Sequence, residues 1–183
     1  MSELKKELLR KSIHFSGIVY VPAYLYFGKE FVLIGVTLAL VFAAIFEFFR
    51  LRYKLLSWLV RDYERNRVGA YIYFGVAVLF VTLLFPMNAA ISAVLVALLG
   101  DGVGGVVKRL PVRRAGEIAF FAMLVVPFVA SLPLLSPIPS FAACFAGAIV
   151  ERIEKIGGYY LQDNLTVPVT AAVVYFSVNY ILS

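Results

Sequence analysis

The chain has 183 residues, of which 62% are hydrophobic, and 17 basic against 11 acidic side chains give a formal net charge of +6. Together with a mean hydropathy of +0.92, this composition excludes a soluble domain with a water-facing surface and predicts an all-α, polytopic integral membrane protein. A single histidine and a single cysteine exclude a zinc site of the His/Cys type. We expect membrane lipids, and no nucleic acid, among its partners.

Hydropathy predicts a bundle of about seven transmembrane helices, each near the ~20 residues needed to cross the hydrocarbon core. They cover residues 12–27, 31–49, 68–85, 88–107, 115–132, 138–153 and 165–182. The short connections at 28–30, 86–87 and 133–137 contain glycine or proline, as turns between antiparallel helices do. The chain, residues 1–183, is therefore predicted to form a single transmembrane domain without a cleaved signal peptide.

The distribution of basic residues predicts the orientation of this bundle. All lysines and arginines except Lys29 fall on one side of the layout. By the positive-inside rule that side is cytoplasmic, which places the N-terminus in the cytoplasm. On the same side, residues 50–67 mix basic with apolar and aromatic residues, and this pattern predicts an amphipathic helix lying in the membrane interface as an anchor at anionic lipid.

Residues 99–105 read Leu-Gly-Asp-Gly-Val-Gly-Gly and close the fourth apolar segment. A carboxylate at membrane depth costs roughly 2.5–3.5 kcal/mol, and a glycine within a helix costs about 1 kcal/mol relative to alanine. Two interpretations remain open. The spacing of Gly100 and Gly104 is typical of close helix packing, in a monomer or a homodimer. Asp101 instead indicates a backbone that loosens to line a polar cavity, where its carboxylate and the glycine N–H groups would face phosphate and a metal ion.

The polar side chains of the apolar segments share one depth in the predicted bundle. All fall in the cytoplasmic half: His14, Glu47, Asp101, Glu117, Glu151, Asp163 and Asn164. Polar helix ends account for part of this pattern, and Asp163 or Asn164 is a candidate N-cap of the last helix. A lone carboxylate as deep as Asp101 is not explained in this way. We therefore predict a shared polar cavity that opens to the cytoplasm.

Several of these residues belong to short motifs that occur together in a known family. The motifs are Arg10-Lys11-x-x-His14-x-x-Gly17, Glu47-x-x-Arg50, Gly100-Asp101-Gly102, Glu151 and Asp163-Asn164-Leu165-Thr166-Val167-Pro168. In their order and topology the chain resembles the CTP-dependent polyprenol kinases, which include dolichol kinase, phytol and farnesol kinases and the CTP-dependent diacylglycerol kinase. The resemblance extends from residue 10 to 168 and departs from the family pattern at the shortened connection 108–117.

The resemblance implies an enzyme of the cell membrane that transfers the γ-phosphoryl group of CTP, with Mg²⁺, to a polyprenol-type or diacylglycerol-like alcohol at the cytoplasmic leaflet. It implies that Asp101 and Asp163, with Glu151 beside them, hold the metal. His14, or a carboxylate such as Glu47, would accept the hydroxyl proton. The contacts to the nucleoside triphosphate are expected from Gly100, Gly102, Gly104, Gly105, Lys108, Arg109, Arg113, Arg114, Asn164 and Thr166.

Two other functional classes fit parts of the same pattern. A CDP-lipid synthase would use the same nucleotide on the same side of the membrane but react at its α-phosphate. A transporter would also place carboxylates in an interrupted helix. A transport path needs two accessible ends, however, and the only charged side chains predicted on the extracellular side are Lys29 and Glu30.

Overall fold

A computed structural model of the chain describes residues 3–56, 58–60, 65–153, 155–156 and 159–183. The helical segments, in chain order, are α1 (Glu3–Phe15), a 3₁₀ turn (Ser16–Val19), α2 (Tyr20–Tyr53), α3 (Ala70–Leu84), α4 (Met87–Leu95), a π-helical turn (Val96–Asp101), α5 (Gly102–Val107), α6 (Ala115–Ser131), α7 (Pro137–Val150) and α8 (Asp163–Leu182). The other regular structure is a short antiparallel hairpin that pairs Lys155–Ile156 with Tyr159–Tyr160. The predicted helical fold class is confirmed.

Among the described residues, three helical stretches are long and apolar enough to cross a membrane. They are Lys5–Tyr53, Met87–Val107 and Asp163–Leu182, with 49, 21 and 20 residues. Helices α3, α6 and α7 are also apolar and have 15, 17 and 14 residues, at or below the lower end of the roughly 17–25 that cross a typical bilayer. The chain is therefore a helical protein with candidate membrane-spanning helices, and the count of seven spans remains a prediction.

Helix α2 is interrupted at Gly28, where the chain reverses its direction. The φ of Gly28 is 80° and its ψ is −177°, a conformation that costs a glycine little and any other residue much more. The ring of His14 lies 5.1 Å from that of Phe74, and Glu47 accepts a hydrogen bond from Tyr71. Residues on both sides of Gly28 therefore return to the same end of α3, as a turn at 28–30 requires.

The centre of the fold is the continuous helical rod Met87–Val107, made of α4, the π turn and α5. From residue 89 to residue 98 its side chains are buried on every side, with Ile91 and Leu98 fully covered, which is typical of a helix surrounded by others. Helix α7 comes close at Gly147, where a Cβ atom would lie 2.5 Å from the nearest side-chain carbon of Val96. This rod holds Asp101, at the end of its π turn, in a fixed position among the other helices.

The predicted interfacial helix over residues 50–67 does not form in the described part of that stretch. Helix α2 ends within it, Lys54 and Leu56 take left-handed φ values of 53° and 52°, and residues 58–60 lie in turns and a bend. The N–H of Lys54 donates to the carbonyl oxygen of Arg50, which is a common way to end a helix. Residues 57 and 61–64 lie outside the described residues. The prediction of one continuous amphipathic helix here is therefore wrong.

Candidate functional site

A cavity of about 650 Å³ lies where α1, the second half of α2 and α3 meet the start of α8. Helix α1 packs on α5 and the π turn, whereas α2 packs on α3 and α4. The space between these two packed groups is the cavity. Its volume falls within the roughly 300–1,000 Å³ that is usual for small-molecule sites.

The lining of the cavity is partly polar. Glu7, Arg10 and Arg50 contribute charged groups to the cavity lining. The polar residues on which the site argument depends are Lys11 and His14 of α1, Asp101 of the π turn, and Asp163 and Asn164 of α8. Four of these five were predicted as site residues, and the structure brings them together from three separate elements. Lys11 was missed as a site residue, although its position three residues before His14 puts both on the same side of a helix.

Asp101 forms a partly buried ion pair with Lys11. The distance from Asp101 Oδ2 to Lys11 Nζ is 2.6 Å, and that to His14 Nε2 is 3.7 Å. The side chains of Lys11 and Asp101 are only 7% and 21% exposed, so the attraction between them is less screened than at a surface. Lys11 therefore offsets the cost that the sequence predicts for a carboxylate at this depth.

The predicted loosening of the backbone takes the form of a π turn in an unbroken helix. In such a turn the N–H of Asp101 reaches back five residues, whereas the N–H of Gly102 donates to Leu98. The carbonyl oxygen of Ala97, within the π turn, lies 3.2 Å from His14 Nε2. Because a carbonyl only accepts, Nε2 carries the proton, and Nδ1 of the neutral ring is left as the acceptor.

The glycines of this stretch pack against neighbouring helices. A Cβ atom on each would meet another helix: Phe15 for Gly102, Met123 at 2.6 Å for Gly104, Lys11 at 2.6 Å for Gly105, and the Met123 carbonyl oxygen at 3.4 Å for Gly100. Residues 102–107 are regular α-helix that continues the rod, so their N–H groups belong to helical hydrogen bonds. The predicted phosphate cradle of glycine amides is replaced by close packing, and α6 of the same chain already occupies the surface that Gly100 and Gly104 would offer to a homodimer.

Glu47 lies in a buried polar network rather than in the cavity wall. Arg50 donates to both carboxylate oxygens from Nε and Nη2, at 2.6 and 2.7 Å. The N–H of Gly69 donates at 2.7 Å, and the hydroxyl of Tyr71 donates as well. Four donors fill the roughly four lone-pair positions of a carboxylate. We therefore correct the predicted proton-accepting role of Glu47 to a structural one, which joins the end of α2 to the start of α3.

Glu151 pairs with Lys108 beside the cavity. Both Asp101 and Asp163 act electrostatically on Glu151, so the three carboxylates share one neighbourhood. Among the described residues, no three His, Cys, Asp or Glu side chains lie close enough to form a complete metal site. Mg²⁺ usually takes one or two carboxylates together with oxygens of its substrate. Asp101 is paired with Lys11 as Glu151 is paired with Lys108, and a metal-binding role of Asp101, Asp163 and Glu151 remains a prediction.

The other predicted nucleotide contacts lie near the cavity end of the fold but outside the cavity lining. They are Lys108, Arg109, Arg113, Arg114 and Thr166. Arg109 Nη2 lies 3.5 Å from the carboxylate of the buried Glu7. Arg114 precedes α6 with a left-handed φ of 62° and lies 3.7 Å from Glu117. The hydroxyl of Thr166 donates to the backbone of α8's N-cap residue at 3.2 Å. Their contacts to a nucleotide remain predictions.

Asp163 and Asn164 begin α8 and do not cap it. The N-cap residue is Gln162, without a side-chain capping bond. Asp163 Oδ1 instead accepts hydrogen bonds from the backbone N–H of Asn164 at 2.8 Å and from its side-chain Nδ2 at 2.9 Å. The predicted N-cap role is therefore wrong, and the two side chains lie at the cavity wall, where the positive end of the α8 dipole favours an anion.

Fold and cavity together define a class: a helical protein with candidate membrane-spanning helices and a cavity lined by both charged and apolar side chains. Comparisons with protein-family models, with curated proteins and with solved structures give no match to this chain. A functional assignment therefore rests on the cavity and on the short motifs that line it.

Proposed function

We propose that this protein is a lipid-alcohol kinase of the cell membrane that transfers the γ-phosphoryl group of CTP to a polyprenol- or dolichol-type alcohol. The observation that carries the proposal is the mixed lining of the cavity, which combines Lys11, His14 and Asp101 with apolar side chains such as Phe42 and Phe74. A lipid alcohol needs both kinds of lining, because its hydroxyl meets charged phosphates while its tail stays in hydrocarbon. The concentration of basic residues at this end of the fold supports a cytoplasmic position for the site.

Phosphoryl transfer asks the protein mainly for positioning and charge stabilisation. In this proposal Lys11 breaks its ion pair with Asp101 and binds a phosphate oxygen instead. Its ammonium group offers three hydrogen-bond donors for that contact. Asp101 and Asp163 would hold Mg²⁺, which neutralises charge on the phosphates when bound. Asn164, hydrogen-bonded to Asp163, holds that carboxylate at the cavity wall.

His14 is the residue that we propose as the proton acceptor. Its Nε2–H is held by the Ala97 carbonyl, which fixes the ring and leaves Nδ1 to take the proton of the lipid hydroxyl. The hydroxyl oxygen then bonds to the γ-phosphorus, the bond from that phosphorus to the bridging oxygen breaks, and CDP leaves. A positioned base of this kind contributes about 10²–10⁴-fold to a rate.

The test uses purified protein in lipid with Mg²⁺, a panel of polyprenols and diacylglycerol, and CTP labelled at either the γ- or the α-phosphate. Transfer of label from the γ-position alone supports the proposal and identifies the alcohol. Transfer from the α-position alone makes the protein a CDP-lipid synthase. No transfer from CTP, ATP or GTP refutes the kinase and favours transport or binding.

The aspartates provide a sharper version of this test. Asp101→Asn and Asp163→Asn are each expected to lower the rate of phosphoryl transfer by about 100-fold or more, the usual loss when a group that stabilises transition-state charge is removed. Glu117→Gln is the matched control, because Glu117 is exposed and lies outside the cavity lining. Folded Asp101→Asn and Asp163→Asn proteins that keep the wild-type rate would contradict the assignment.

A further inference from the structure

The apolar lining of the cavity is also part of the outer surface of the protein. Ile13, Phe42 and Phe46 line the cavity, yet they are 61%, 69% and 41% exposed. The polar lining residues Lys11 and Asp101 are largely covered. The cavity is therefore closed at its polar end and open sideways, between α1 and the second half of α2.

The surface around this opening is apolar. Along α2 the side chains that point outward include Ile34, Leu38, Val41, Ile45 and Phe49. This helix belongs to the longest of the stretches that can cross a membrane. The opening therefore faces the hydrocarbon of the bilayer. A water-soluble ligand would gain no free energy by entering from that side, whereas a lipid chain is already present there.

We propose that a lipid substrate enters this cavity sideways from the bilayer as a single hydrocarbon chain that passes over Ala43, with its polar end leading. Phe42 and Phe46 are one helical turn apart and lie on the same side of α2, and the small Ala43 lies between them and also lines the cavity. With Ile13 of α1, these side chains border the proposed passage. Ala43 has the smallest side chain of the four, so a larger residue at this position is expected to block the passage.

The size of the cavity supports a passage rather than a closed pocket. A volume of about 650 Å³ suits a drug-sized molecule and is too small for a triphosphate together with a long polyprenol. The distal part of the chain therefore stays outside, against α2 and the surrounding lipid. We expect selection for the alcohol end and little discrimination among long chains of different length.

This inference rests on the proposed function for the chemical nature of the polar end of the lipid. The passage itself can be tested without measuring enzyme turnover. A single-chain primary alcohol with a diazirine near its middle is incorporated into phosphatidylcholine vesicles with the full-length protein, irradiated, and mapped by mass spectrometry. We expect labelling at residues 42–46 and around Ile13, and competition by unlabelled farnesol. Uniform labelling of all exposed apolar helices would contradict the proposed passage.

The matched variants are Ala43→Phe and Ala44→Phe. Both add the same side chain to α2, but Ala44 is exposed and does not line the cavity. We expect Ala43→Phe to lower labelling by roughly 10-fold, from the cost of overfilling a packed site, and Ala44→Phe to leave it unchanged. Ala43→Leu adds less volume and should give an intermediate loss. Equal labelling of all the variants would overturn the role of Ala43.

Enzyme kinetics separate a failure of this inference from a failure of the proposed function. If the passage and the kinase are both right, Ala43→Phe raises KM for the lipid alcohol and leaves KM for CTP unchanged. Localised labelling of a wild-type protein that transfers no phosphoryl group supports the passage and refutes the kinase. Phosphoryl transfer with an unchanged lipid KM in Ala43→Phe refutes the passage and leaves the kinase standing.

Discussion

Replacing Glu47 by alanine tests whether this carboxylate is structural. The substitution removes the acceptor for Arg50, for the Gly69 N–H and for the Tyr71 hydroxyl. Arg50 is only 2% exposed, so its guanidinium group would lose its two hydrogen bonds to Glu47 while it remains buried. Breaking a buried pair in this way costs about 3–5 kcal/mol of unfolding free energy. For a chain of this length we expect the melting temperature to fall by roughly 6–20 °C.

The measurement is thermal unfolding of the purified protein in detergent, followed by intrinsic fluorescence. Glu117→Ala is the matched control, since Glu117 also pairs with an arginine three residues away but in an exposed position, where such a pair is worth about 0–1 kcal/mol. The double variant Glu47→Leu/Arg50→Leu should recover part of the lost stability, because it removes both buried charges. A Glu47→Ala protein with wild-type stability and no phosphoryl transfer would refute the structural role.

Three further substitutions test the local geometry. Gly104→Ala should lower the unfolding free energy by about 1–3 kcal/mol, because its Cβ would lie 2.6 Å from Met123; a loss of CTP affinity at unchanged stability would instead support the amide cradle. Arg114→Gly should raise stability by up to about 1 kcal/mol by relieving a left-handed φ; a raised KM for CTP would support the predicted nucleotide contact of this arginine, and an unchanged KM would argue against it. Gly28→Ala should lower the unfolding free energy by about 1 kcal/mol or more, measured by thermal unfolding. Gly35→Ala, in open space on the same helix, should not lower it, and equal effects of the two variants would argue against the reversal at Gly28.

The sequence predicts which polar residues share one end of the fold, because a charge inside an apolar segment needs a polar neighbour. His14, Asp101 and Asp163 meet for this reason, although they are far apart in the chain. Hydropathy also locates the helices and the turn at 28–30. These features depend on composition and spacing, which are local properties of a sequence.

The sequence does not distinguish a carboxylate that lines a cavity from one that is saturated by its neighbours. Asp101 stands alone in an apolar segment, whereas Glu47 has Arg50 three residues away on the same helix. The contacts of Glu47 to Gly69 and Tyr71, and that of Asp101 to Lys11, depend on how the helices pack. The glycines after Asp101 are ambiguous in the same way. Their role in packing depends on residues of other helices that no local pattern identifies.

The π turn determines the direction in which all later side chains of the central rod point around the helix axis. An α-helix advances about 100° per residue, so a single extra residue in one turn rotates the remainder of the helix by nearly a third of a revolution. Without that residue, Gly102 and Gly104 would turn away from Phe15 and Met123, and Asp101 would leave Lys11. A deletion of one apolar residue between Val96 and Gly100 would therefore preserve hydropathy and length almost unchanged while dismantling the polar lining of the cavity.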